Sequence, residues 1–125
     1  MKWFGCFCLI VIGALCFSSV YGEQQKKRIF VVSSYDRDYL WSQLTQKGLT
    51  DAMIRFRYLD NAQQAEAFTN SDYVESSKVV ARKAWMDTKR KNNFQEIAQT
   101  TAQIMQSIEA FKPDLVLLGD DNAAN

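Results

Sequence analysis

Between Phe94 and Phe111 the apolar side chains Phe94, Ile97, Ile104, Met105, Ile108 and Phe111 recur at helical spacings, and just beyond Pro113 the chain changes to the unbroken run Leu-Val-Leu-Leu at 115–118. A 3.6-residue period giving way to a short continuous apolar run predicts a helix followed by a strand covered on both faces. Pro113 stops that helix, and Asn92 or Asn93 supplies its cap. The run Ile29-Phe30-Val31-Val32 has the same buried-strand character, and a third run begins at Val79-Val80-Ala81. Strands alternating with helices restrict the chain to an α/β class: an open, mostly parallel sheet with flanking helices.

The segments between these runs are less regular. From Tyr39 or Trp41 to about Phe56 a helix is expected, with Leu44, Gly48, Ala52, Met53 and Phe56 turned to the sheet and Lys47, Asp51 and Arg55 to solvent. Gly48 would let that helix approach the sheet closely. Residues 59–78 read as an irregular connection with helical pieces, longer than an ordinary α/β loop. The strand from Val79 to Met86 carries Arg82 and Lys83, which fits a sheet edge. Residues 122–125, Asn-Ala-Ala-Asn, begin a further helix, so residues 23–125 are expected to form an incomplete N-terminal α/β lobe.

Residues 1–22 have the pattern of a cleaved signal peptide: Lys2, an apolar stretch over residues 3–17, then Val20 and Gly22 where a signal peptidase inspects the chain. The apolar stretch is shorter than the ~20 residues that cross a bilayer comfortably. Periplasmic or otherwise extracytoplasmic localisation follows as an expectation. Cys6, Cys8 and Cys16 all lie in this leader, so the exported part has no thiol chemistry and no disulfide. Histidine is absent from the whole chain, which removes the usual neutral-pH general base and the commonest metal ligand. Losing Lys2 with the leader leaves 14 basic against 14 acidic side chains over 103 residues, a balance that argues against nucleic acid as a partner.

In open α/β sheets ligands bind beyond the carboxyl ends of the strands. The three expected tips carry Ser33, Ser34, Tyr35 and Asp36; Asp87, Thr88 and Lys89; and Asp120, Asp121 and Asn122, with Trp41 one helical turn away. Hydroxyls, amides and aspartates suit a small polar ligand, and Tyr35 and Trp41 could stack on its flat part. The plainer readings are that Ser33 and Ser34 satisfy loop backbone, that Asp87 and Asp121 cap helices, and that residues 89–91 form a solvated basic patch. Catalysis is hard to assemble. No serine sits in a nucleophile elbow, and the first loop has no glycine for a phosphate or dinucleotide cradle. Adjacent Asp120 and Asp121 point different ways, which makes a poor magnesium site. No cofactor is expected.

The segments RIFVVSSYDRDYLW at 28–41, WMDTKR at 85–90 and KPDLVLLGDDNAAN at 112–125 resemble the first lobe of the ABC-transporter substrate-binding-like family. That resemblance implies a periplasmic-binding-like fold of two α/β lobes closing over a small organic ligand such as an amino acid, without catalysis. It places Ser34, Tyr35, Trp41, Asp87, Thr88, Asp121 and Asn122 on the interlobe edge, and it implies an ABC permease as partner of the full-length protein. Similar domains serve as extracellular sensors ahead of signalling modules, and a non-functional truncated fragment is the third alternative.

Overall fold

The computed structural model describes residues 25–124. The expected signal peptide, with its three cysteines, lies outside the described residues. No helix among the described residues is long and apolar enough to cross a membrane.

The elements run β1 (Lys27–Ser33), α1 (Leu40–Arg55), α2 (Ala62–Asn70), β2 (Tyr73–Glu75), β3 (Val79–Trp85), α3 (Phe94–Phe111), β4 (Leu115–Gly119) and α4 (Asp121–Ala124). They build a mixed, open sheet flanked by helices, in strand order β2-β3-β1-β4. β1 pairs in parallel with both β3 and β4, whereas β2 pairs antiparallel with β3.

Successive residues of a strand face opposite sides, and β1 is apolar on both. Ile29 and Val31 join Met53, Leu59, Phe68, Val74, Val79 and Ala81 beneath α1 and α2, while Phe30 and Val32 join Met86, Ile104 and Phe111 beneath α3. Helix α3 begins and ends where its apolar period does. Asn93 caps it by accepting from the Glu96 backbone N–H at 2.9 Å, and Lys112, in the left-handed region at φ 50°, closes it ahead of Pro113.

Four expectations are corrected. Residues 59–78 hold the expected helical piece as α2, capped by Asn61 on the Gln64 N–H, but they also hold the short strand β2 instead of irregular chain. A three-residue strand is too brief to show a period of two. β2 takes the sheet edge, so β3 is internal, and Lys83 is buried at 6% exposure instead of guarding an edge. In α1 the inward positions are Ser42, Gln46, Thr50 and Met53, whereas Leu44 is 57% exposed and Phe56 also faces solvent. Gly48 meets nothing within 4 Å of where a Cβ would stand, so it serves no close approach.

The fourth correction concerns β4, which is not buried. Leu115, Val116 and Leu118 are exposed, and the outer edge of β4 pairs with no described strand. An apolar groove of about 420 Å³ runs along one face of β4, between Leu115 and Leu117 on the strand and Leu49, Met53 and Phe56 opposite. Another of about 360 Å³ runs along its other face, between Val116 and Leu118 on the strand and Ile104, Met105 and Ile108 of α3.

Candidate functional site

Register aligns the three parallel strand ends, with Ser33 opposite both Trp85 and Gly119. One residue further, Ser34 is fully buried and becomes the hub of the tips. Its Oγ donates to the Gly119 carbonyl at 2.9 Å and accepts from the Ala123 backbone N–H at 2.9 Å. Its carbonyl accepts from the Thr88 N–H at 2.9 Å and from the Thr88 hydroxyl at 2.8 Å. Asn122 Nδ2 then donates to Thr88 Oγ1 at 3.2 Å. The structure thus brings Ser34, Thr88 and Asn122 together, with both hydroxyls used in clasping the loops to one another.

Charged groups tie the first and second tips. Asp36 Oδ1 accepts from the Asp38 and Tyr39 backbone N–H groups at 2.7 and 2.9 Å, which steers the chain into α1, since Tyr39 itself gives no side-chain cap. Arg90 pairs with Asp36 Oδ2 at 2.8 Å and with both oxygens of Asp87 at 2.9 and 3.0 Å. These two carboxylates hold the Arg90 guanidinium still more firmly protonated than usual, Asp87 contributing most. Asp87 and Asp120 occupy the left-handed region, at φ 57° and 73°, which a short polar side chain tolerates better than most.

The accessible surface at this edge is aromatic and mixed in charge. Tyr35 meets Tyr39 edge-on with ring centroids 4.9 Å apart, and the Lys89 ammonium sits 4.9 and 5.6 Å from the two rings, within cation–π range. Asp121 opens α4 and is exposed. Trp41 stands 58% exposed in the first turn of α1 and makes no hydrogen bond to the tips. Among the described residues no group of three or more His, Cys, Asp or Glu converges to hold a metal ion.

A second polar region lies beside β3, beneath α1 and α2, and sequence reasoning missed it. The Lys83 ammonium donates to the carbonyl of Phe68 and, at 3.5 Å, to that of Thr69, at the carboxyl end of α2, where the helix dipole favours a cation. Burial lowers its pKa to about 8, an effect that Asp72 opposes and Arg37 adds to. Arg37 donates to the Asn70 carbonyl at 2.8 Å and to Asp72 Oδ1 at 2.6 Å, and Trp85 Nε1 donates to the same carboxylate oxygen at 2.8 Å. On the helix above, Ser42 Oγ and Gln46 Oε1 are buried without a hydrogen-bond partner among the described residues. The sequence carried one signal: in a strand covered on both faces, adjacent Arg82 and Lys83 force one charge into a helical layer.

No protein-family model, curated protein or solved structure matches the chain.

Proposed function

We propose that the chain is the first part of a two-lobed, non-catalytic solute binder working outside the cytoplasm as the capture component of an ABC-type uptake system. The observation that carries this reading is the strand order. β1 lies between β3 and β4: the chain leaves β1 through α1 over one face, returns from β3 to β4 through α3 over the other, and starts α4 after β4 on that second face, and the crevice beyond such a switch point is where open α/β sheets take ligands. The clasp through Ser34 and Thr88 supports it by holding three tips at one edge. Tyr35, Asp121 and the Asn122 side-chain oxygen Oδ1 are then the groups offered to a ligand, with Ser34, Thr88 and Asp87 as their frame.

The bare edge of β4 supports the partial-lobe reading. A parallel strand is ordinarily covered on both faces, yet β4 exposes leucines on each side with an apolar groove along both. Further strands and helices of the same protein would fill those grooves, and a facing lobe would close over the tips. Closure draws its free energy from tighter binding to the closed state.

The test is a titration of the isotope-labelled protein with amino acids and small organic acids to millimolar concentration, read residue by residue by NMR. One lobe alone is expected to bind weakly, with fast-exchange shifts at the amides of Tyr35, Thr88 and Asn122. A folded spectrum with no shift at these tips for any compound, or chemical conversion of a compound, overturns the reading.

A further inference from the structure

We propose that the outer edge of β4 is a self-pairing surface, on which two copies of this chain join antiparallel about a two-fold axis through Val116 and make their two sheets one. The edge runs along the strand and away from its tip, so the inference does not rest on the capture reading. A continuation of the lobe would compete for the same edge, and in the chain of residues 1–125 the second copy takes it.

The edge is unguarded. Asp114 gives its N–H to the Arg28 carbonyl at 2.8 Å, and backbone groups alternate in direction along a strand. Leu115 and Leu117 therefore turn their N–H and C=O groups outward, where no described strand meets them. Sheet edges are ordinarily protected by charged side chains, proline or a bulge, but residues 115–119, Leu-Val-Leu-Leu-Gly, pair with β1 in unbroken register and supply none of these. Leu115, Val116 and Leu118 are exposed on its two faces, so a matching strand must be apolar on both faces too. Among the described residues only β1 and β4 carry an unbroken run of four apolar side chains, and β1 is internal. The strand that fits is a second β4.

Backbone and charge select the register. Outward residues face outward residues in an antiparallel pair, so the axis passes through Leu115, Val116 or Leu117. Through Leu115, Pro113 would face Leu117 with no N–H to give. Through Leu117, Asp114 would face Asp120, and directly opposed like charges repel. Through Val116, Leu115 of one copy exchanges both hydrogen bonds with Leu117 of the other, and Lys112 comes opposite Asp120. Phe56, Met105, Leu115, Val116 and Leu118 border the grooves along this edge and are 36–66% exposed. Covering them in both copies removes about 900 Å² from water, at the weak end of specific interfaces, so the dimer is reversible with a Kd on the order of 10–100 μM.

Sedimentation velocity of the protein from about 5 to 500 μM should show monomer passing to dimer and stopping there, because pairing consumes β4 in both copies. The amides of Leu115 and Leu117 should shift with concentration while those of Tyr35 and Thr88 stay still. In a mixture of isotope-labelled and unlabelled protein, a filtered NOE should join the Val116 methyls of the two copies. Val116→Lys sets two ammonium groups across the axis and should weaken the dimer at least about tenfold. Leu115→Pro removes an N–H that the monomer leaves free and should weaken it as well. The NOE is read on the native protein, so the test stands even if a variant fails to fold. Monomer at every concentration, growth past the dimer, a dimer without the Val116 NOE, or variants that associate as the native protein does, overturns the proposal.

Discussion

The two helical layers on this sheet solve the same packing problem with different side chains. Beneath α3 the layer is apolar apart from Thr100, from Phe30 and Val32 on β1 to Ile104 and Phe111 on the helix. Beneath α1 and α2 it is apolar only around Ile29, Val31, Met53 and Val79. Towards the carboxyl ends of the strands it becomes Ser42, Gln46, Thr50 and Lys83, all buried. Thr50 is satisfied by the Gln46 and Lys47 carbonyls at 3.1 and 3.0 Å, but Ser42 Oγ and Gln46 Oε1 find no hydrogen-bond partner among the described residues. Buried polar groups without partners cost stability, and departures from a consistent core concentrate at functional sites. The α3 layer accordingly carries the fold, and the polar half of the α1 layer lies where open α/β sheets do their binding.

The largest expected effect is in the α3 layer. Phe30 is almost fully buried and its ring lies 5.7 Å from that of Phe111, so Phe30→Ala should cost about 3–5 kcal/mol through lost transfer energy and the cavity left behind. Urea unfolding measures it. A cost below about 1 kcal/mol would mean that this layer is loosely packed and would break the contrast at its firmer end.

Lys83 tests the other side, and the sign is distinctive. Its pKa falls from an ordinary 10.5 to about 8 in the folded protein. Below pH 8 the amine is charged in both states and folding bears the whole burial penalty. Between pH 8 and 10.5 the unfolded chain binds more protons, so stability rises with pH across that window. At 1.36 kcal/mol per unit the gain is at most about 3 kcal/mol, and residual hydration of the amine reduces it to about 1–2. Comparing the pH dependence of urea unfolding in the native protein and in Lys83→Met isolates this group. Parallel curves from pH 7.5 to 10.5 would show that the amine is solvated and that the polar layer is open to water.

Legibility in the sequence followed the same division. Helix α3 could be read to its ends because Ile97, Ile104, Ile108 and Phe111 of its apolar period pack on the sheet, although Phe94 and Met105 stay exposed, and Asn93 and Pro113 mark its limits. β1 was equally plain. In α1 the pattern placed Met53 inside and Lys47, Asp51 and Arg55 outside correctly, but it turned Leu44 and Phe56 inward, whereas they are outside and serine, glutamine and threonine are inside. A hydrophobic period cannot announce a polar stripe that is buried by tertiary contact. At the tips, the seryl and threonyl residues were visible as candidates, but only the register of three strands shows that Ser34 and Thr88 bond each other. Gln46 and Lys83 escaped because each becomes unusual only when the layer above β3 closes over it.

The smallest expected effect discriminates most sharply between the two readings of α1. Leu44 follows the helical period that selects Leu44, Gly48, Ala52, Met53 and Phe56 as the inward face, of which Met53 is buried. If that period governed packing, Leu44→Gln would bury a carboxamide in the core and cost several kcal/mol. The structure instead leaves Leu44 more than half exposed, one turn from the equally exposed Leu40 and Trp41 and on the side of α1 away from Ser42 and Gln46. Exchanging one exposed side chain for a polar one of similar size changes stability by no more than about 0.5 kcal/mol. Glutamine is as good a helix former as leucine to within a few tenths of that unit, so propensity does not mask the result. Urea midpoints of Leu44→Gln and the native protein should coincide, and a loss above about 2 kcal/mol would rotate α1 and return Ser42 and Gln46 to solvent.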